Sequence, residues 1–129
     1  MTENAEVTEA AETELAAERV RELADSGSAE LIDVRRDYEF AEGHLPGARQ
    51  IEMNDLTARS ESIPRDRTVV FYCRSGNRSG MAAAAFREAG YDAHNMAGGI
   101  TAWADAGYPL DPEGGHVAEA RPPSAEETG

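Results

Sequence analysis

The sequence predicts an α/β domain built on a mostly parallel sheet, and three observations predict it. Segments that read as strands alternate with segments that read as helices. The central strand, Thr-Val-Val-Phe-Tyr at residues 68–72, is apolar without alternation, the pattern of a strand covered on both faces. The chain has 129 residues, 40% of them hydrophobic and 29% charged, which suits one compact domain. A chain of this size buries roughly two-thirds of its extended surface without needing a metal or a disulfide.

Taken in order, residues 13–24 place Leu15, Ala16, Val20 and Leu23 on one apolar stripe that stops at Asp25-Ser26-Gly27, predicting a surface helix. Residues 29–34, Ala-Glu-Leu-Ile-Asp-Val, read as a short strand, and Pro46-Gly47 marks a turn before the Ile51 region. After the buried strand, residues 79–89 are alanine-rich and end at Gly90, a helix with a glycine cap. A weaker strand at 91–95 and a last helix at 100–106 follow, with Trp103 expected as a core anchor. Residues 1–11 are acidic and poor in large apolar side chains, and residues 111–129 are rich in Pro, Gly and Glu. Both ends are expected to be disordered, leaving a domain at 12–110.

Charge excludes several classes of function. The formal net charge is −13, from 25 acidic and 12 basic residues, and a field of that sign repels nucleic acid and anionic membrane surfaces. All 12 basic residues are arginine. Genome bias toward arginine codons and adaptation to high salt both account for this, and the sequence leaves the choice open. The first 14 residues carry five glutamates and no basic residue, unlike a targeting segment, and no apolar run is long enough to span a bilayer. A cytoplasmic monomer is expected. The single cysteine, Cys73, rules out an intramolecular disulfide, and His44, His94 and His116 are scattered away from zinc-ligand spacing.

That lone thiol directly follows the buried strand and opens the run Arg74-Ser75-Gly76-Asn77-Arg78-Ser79 into the alanine-rich helix. The carboxyl end of a parallel strand meeting a helix N-terminus is where α/β domains bind ligands. Unpaired N–H groups and the helix dipole favour an anion there. Arg74 and Arg78 add positive charge, and Gly76 with Asn77 lets the loop turn its N–H groups inward. Such surroundings lower a cysteine pKa from about 8.5 to between roughly 3.5 and 7.5, and a fall of two units raises the thiolate fraction at pH 7 from roughly 3% to roughly three-quarters. The expected species is a reactive thiolate rather than an inert core thiol.

The run 73–79 resembles the active-site loop of the single-domain rhodaneses, the thiosulfate sulfurtransferases. Two further blocks agree in order: Leu31-Ile32-Asp33-Val34-Arg35 with Glu39-Phe40 and Gly43-His44-Leu45-Pro46-Gly47-Ala48 upstream, then Asn95-Met96-Ala97-Gly98-Gly99-Ile100 with Trp103 downstream. The resemblance covers about residues 13–110. It implies a five-stranded, mostly parallel sheet flanked by helices on both faces, and a ping-pong reaction through a cysteine persulfide with no metal or organic cofactor. By position, Cys73 is then the nucleophile, the backbone of residues 74–78 cradles the persulfide, and Arg74, Ser75, Gly76, Asn77, Arg78 and Ser79 bind the anionic donor. Thiol or cyanide is the expected acceptor. Asp33, Arg35 and His44 are candidates for a supporting layer, although fold support accounts for each, and Gly98-Gly99 is expected to admit close backbone approach.

Loop length separates the alternatives. Related phosphatases and arsenate reductases place arginine after Cys and five residues, where this chain has Ser79, with its arginine one place earlier at Arg78. Mercaptopyruvate sulfurtransferases carry an apolar-leaning loop in place of the two arginines, so thiosulfate is the expected donor. Disulfide exchange lacks a resolving cysteine. The alternative of another class is a sulfur carrier or interaction module that takes its persulfide from a protein donor and turns over thiosulfate poorly.

Overall fold

A computed structural model of the chain describes residues 13–119. The segment 1–11, expected to be disordered, and residues 120–129 lie outside the described residues. Five strands form one sheet: β1 (Glu14–Leu15), β2 (Ala29–Asp33), β3 (Arg49–Gln50), β4 (Thr68–Tyr72) and β5 (Asp92–Met96). Their spatial order is β1-β5-β4-β2-β3, with every neighbouring pair parallel. Four helices cover it: α1 (Ala17–Asp25), α2 (Asp37–Glu42), α3 (Asn77–Glu88) and α4 (Gly99–Asp105).

The unbroken apolar run of β4 follows from its place at the centre. Val69 and Phe71, with Cys73 beyond the strand end, pack against Ile32, Val34 and the α3 residues Ala82, Ala83 and Phe86. Val70 and Tyr72 face the other way, against Leu31, Val20 of α1, and Ile100 and Trp103 of α4. Successive side chains alternate between two helical layers, so both sets must be apolar. Trp103 is 3% exposed and donates its indole N–H to the Pro109 carbonyl at 2.7 Å, as a core anchor does.

The structure differs from the sequence reading at four places. The stretch read as a helix from Thr13 begins as an edge strand, because the Thr13 and Leu15 carbonyls accept from the Asn95 and Ala97 N–H groups at 2.7 and 2.8 Å, and the helix starts only at Ala17. Helix α2 was not foreseen. It has six residues and no apolar stripe, and is held at its start by the Glu39 carboxylate accepting from the Arg36 N–H at 3.1 Å. Strand β3 has only two residues, too few to show a period. The domain also continues past residue 110. His44 and Asp111 exchange backbone hydrogen bonds at 2.9 and 2.8 Å, the His116 N–H donates to the Glu42 carbonyl at 2.8 Å, and Ala118 is buried. Composition alone hides this segment, because backbone pairing holds it more than apolar side chains do.

A buried ion pair closes the end of β2. Asp33 and Arg35 are both fully buried; Nε and Nη2 of Arg35 donate to the two carboxylate oxygens of Asp33 at 2.9 and 2.7 Å, and Nη2 also donates to the Gly43 carbonyl at 2.8 Å. Beside them Tyr72, in register with Asp33, accepts from the Leu45 N–H at 3.0 Å. Burial and the neighbouring Asp33 carboxylate raise the Tyr72 phenol well above its ordinary pKa, which keeps it neutral. Removing one partner of such a pair strands the other charge in the core. Asp33→Ala is therefore expected to lose about 3–5 kcal/mol of stability in urea unfolding, and a loss under about 1 kcal/mol would show that the pair does not support the fold.

Candidate active site

Cys73 is the first residue beyond β4, and the chain must turn there to enter α3. Gly76 makes the turn at φ +98°, where a Cβ would lie 3.2 Å from the Gly98 nitrogen and 3.4 Å from the Met96 carbonyl oxygen. The turn aims the backbone back at the sulfur. The Gly76 N–H donates to Cys73 Sγ at 3.1 Å, and the Ser79 hydroxyl lies 3.3 Å from the same atom.

The first turn of α4 grips the loop from behind. The N–H groups of Ile100 and Thr101 donate to the carbonyls of Cys73 and Arg74 at 2.9 and 3.1 Å. Gly99, at φ +63°, passes so close that a Cβ would overlap both carbonyls. The close approach expected at Gly98-Gly99 is this contact. With its carbonyls held on one side, the loop presents its N–H groups on the other.

Cys73 is 1% exposed. Burial pushes its thiol pKa up, but hydrogen bonds from the Ser79 hydroxyl and from the N–H groups of Ser79, Gly76 and Arg78 outweigh it, leaving the thiol below its ordinary value. The direction and the inward N–H groups agree with the sequence reading, whereas the Ser79 hydroxyl, and not the charge of Arg74 and Arg78, is what adds to them in lowering the thiol. Arg74 turns outward, with Nη2 3.6 Å from the Glu119 carboxylate, and its Nε is buried without a hydrogen-bond partner among the described residues. Arg78 is half-buried and makes no ion pair among the described residues, while Ser75 and Asn77 are exposed.

Asp33, Arg35 and His44 lie outside this constellation. The first two pair with each other, as described above. The His44 ring stacks on Phe40 at 3.7 Å between centroids, and its Nδ1 bonds the Phe40 carbonyl at 2.8 Å. Two residues that sequence reasoning passed over belong to the site instead. Asn95, 2% exposed in β5, accepts from the Ser79 hydroxyl at 2.5 Å and donates to the Gly76 carbonyl at 3.1 Å and to Glu14 Oε1 at 2.9 Å. Asn95 stands among other polar residues of β5, Asp92 and His94, and carried no local signal. Glu14, from the edge strand, had none either.

A parallel α/β domain with one buried cysteine ringed by N–H donors at a strand–helix junction belongs to the class that carries chemistry on an anion-binding cysteine loop. The chain belongs to the rhodanese family: residues 16–106 match the Rhodanese-like domain. It is 46% identical over 94 residues to a sulfurtransferase of Allochromatium vinosum, covering 71% of this chain and 88% of that protein. It is 34% identical over 104 residues to the thiosulfate sulfurtransferase GlpE of Pseudomonas aeruginosa, covering 80% and 93%. Among solved structures, a rhodanese-related protein from Thermoplasma volcanium superposes with a TM-score of 0.71 at 26% identity, covering 75% of this chain and 95% of that one. The chain is thus a member of a sulfurtransferase family.

The lowered thiol sets a pH dependence. Alkylation of Cys73 by iodoacetamide is expected to be half-maximal below the ordinary cysteine value of about 8.5 and to fade as pH drops through that lowered midpoint. The same chain unfolded in urea should show the ordinary midpoint. Coincident midpoints would mean that the loop does not favour the thiolate.

Proposed function

We propose that the protein moves sulfane sulfur from thiosulfate to a thiophilic acceptor, thiol or cyanide, through a persulfide on Cys73. The observation that carries this reading is the convergence of N–H donors and the Ser79 hydroxyl on one sulfur. In the first half-reaction the Cys73 thiolate attacks the outer sulfur of thiosulfate. A new S–S bond forms, the bond to the sulfonate sulfur breaks, and sulfite leaves with the electron pair. The negative charge then sits on the outer sulfur of the persulfide, within reach of the N–H groups of Gly76, Arg78 and Ser79. In the second half-reaction the acceptor takes that sulfur, and the pair of electrons in the S–S bond returns to Cys73 as thiolate.

The arginines serve the leaving group in this reading. Arg74 and Arg78 stand on the loop that holds the sulfur, and the unpartnered Arg74 Nε supports a role in binding the donor's oxygens. Cys73 is the catalytic residue, and the loop backbone of residues 75–79, with the Ser79 hydroxyl, forms the cradle. The spacing of Arg78, one place short of a phosphate-binding loop, favours sulfur over phosphate transfer.

Intact mass spectrometry after exposure of the reduced protein to thiosulfate tests the cycle. Wild type is expected to gain one sulfur atom that cyanide removes as thiocyanate, and Cys73→Ser is expected to gain none. No gain on wild type would pass the lead to a carrier loaded by a protein donor. A second expectation follows from the net charge of −13, which repels a dianionic donor at low ionic strength. The KM for thiosulfate should fall between low and moderate salt. A steady rise would point instead to chloride competing for the cradle.

A further inference from the structure

Ser79 has one hydroxyl proton and two acceptors within reach. Its Oγ lies 2.5 Å from Asn95 Oδ1 and 3.3 Å from Cys73 Sγ, and Ser79 and Asn95 are 0% and 2% exposed. A hydroxyl donates once. Asn95 cannot turn to relieve the competition, because its Nδ2 donates to Glu14 Oε1 and to the Gly76 carbonyl. A flipped amide would set its oxygen against both of those acceptors. Oδ1 is therefore fixed as an acceptor facing Ser79.

The hydrogen-bond accounting then depends on the state of the sulfur. With Cys73 as a thiol every group is satisfied: S–H donates to Ser79 Oγ, and Ser79 O–H donates to Asn95 Oδ1. With Cys73 as a thiolate the Ser79 proton must swing to the sulfur, which leaves Asn95 Oδ1 buried without a donor. We propose that Asn95 is a positioning residue that competes with Cys73 for the Ser79 hydroxyl, and that Glu14 on the edge strand is the outer end of the lock that fixes the Asn95 amide.

One consequence rests on the sulfur-transfer reading. In the persulfide the charge moves to the outer sulfur, Sγ no longer needs the Ser79 proton, and that proton returns to Asn95. The lock disfavours the free thiolate and spares the persulfide, so it biases the loop toward its sulfur-loaded form. The lock itself needs no sulfur donor, and its test uses none.

The experiment is the pH profile of iodoacetamide alkylation for wild type, Asn95→Ala, Glu14→Gln and Ser79→Ala, at low and at high salt. Other ionisable side chains on the elements framing the sulfur include Arg74 and Arg78 of its loop, Tyr72 of β4, Asp92 and His94 of β5, Arg87 of α3 and the Asp33–Arg35 pair at the end of β2, and all of them stay unchanged. The first turn of α4 carries none. The midpoint is expected to fall by roughly half a pH unit or more in Asn95→Ala, and by less in Glu14→Gln, where the fall must survive high salt that screens the lost charge. In Ser79→Ala it should rise. Opposite shifts from two side chains in contact are not what general loosening of the loop produces. Midpoints unchanged or raised in Asn95→Ala and Glu14→Gln would overturn the proposal. Glu14 is exposed at the sheet edge, so its variant carries the test even if Asn95→Ala folds poorly. A lowered midpoint in a protein that takes up no sulfur from thiosulfate would sink the transfer reading and leave the lock standing.

Discussion

The site depends on the N–H groups that the first turn of a helix leaves unpaired. In α3 those of Gly76, Arg78 and Ser79 bear on one atom, Cys73 Sγ. Much of the rest of the fold holds them there. The central position of β4 between β5 and β2 fixes where the sulfur stands. The left-handed turn at Gly76 sends the backbone back toward it, and α4 captures the carbonyls of Cys73 and Arg74 from behind. Because carbonyls are held on one face and N–H groups face the other, the cradle is a property of the backbone. That is why exposed side chains such as Ser75 and Asn77 can sit on the loop without shaping the sulfur's surroundings.

Burying the sulfur and ionising it are opposed demands. A nearly inaccessible thiol resists losing its proton, and only donors that come with it into the interior reverse the balance. Guanidinium groups are poorly suited to that task, since each would need a buried counter-charge of its own. The one arginine buried among the described residues, Arg35, has its counter-charge in Asp33. The two loop arginines stay half-exposed at the rim. Neutral dipoles act on the sulfur while full charges stay at the rim, where water solvates them.

What the sequence disclosed follows the same physics. The strand β4, the cysteine loop and α3 were legible because a non-alternating apolar run, a glycine at a forced turn and an alanine-rich helix are local signals. Helix α2 was not, because six residues without an apolar stripe show no period, and strands β1 and β3 were not, because pairing with distant residues makes them; β1 exists only where the Thr13 and Leu15 carbonyls meet β5. The sources of the lowered thiol were legible in part: the inward N–H groups were expected, while the charge of Arg74 and Arg78 was given a share that the Ser79 hydroxyl holds instead. Charge is visible in a sequence, whereas the Ser79–Asn95–Glu14 chain arises from three elements brought together by the sheet. His44 is the converse case, a residue of catalytic type whose ring is spent on Phe40.

The C-terminal segment adds an acidic side chain to the rim. Backbone pairing at Asp111 and His116 carries the chain back across α2, and the Tyr38 hydroxyl donates to the Glu119 carbonyl at 3.3 Å. The Glu119 carboxylate stands 3.6 Å from Arg74 Nη2 and is 89% exposed. A solvated pair of this kind is worth at most about 1 kcal/mol, so it shields Arg74 without fixing it. The global charge and Glu119 therefore act alike, each opposing an anion at the loop and each weakened by salt. The Asp33–Arg35 pair, out of reach of solvent, is screened much less. The fold thus places its salt-sensitive charges at the entrance and its salt-insensitive one in the frame.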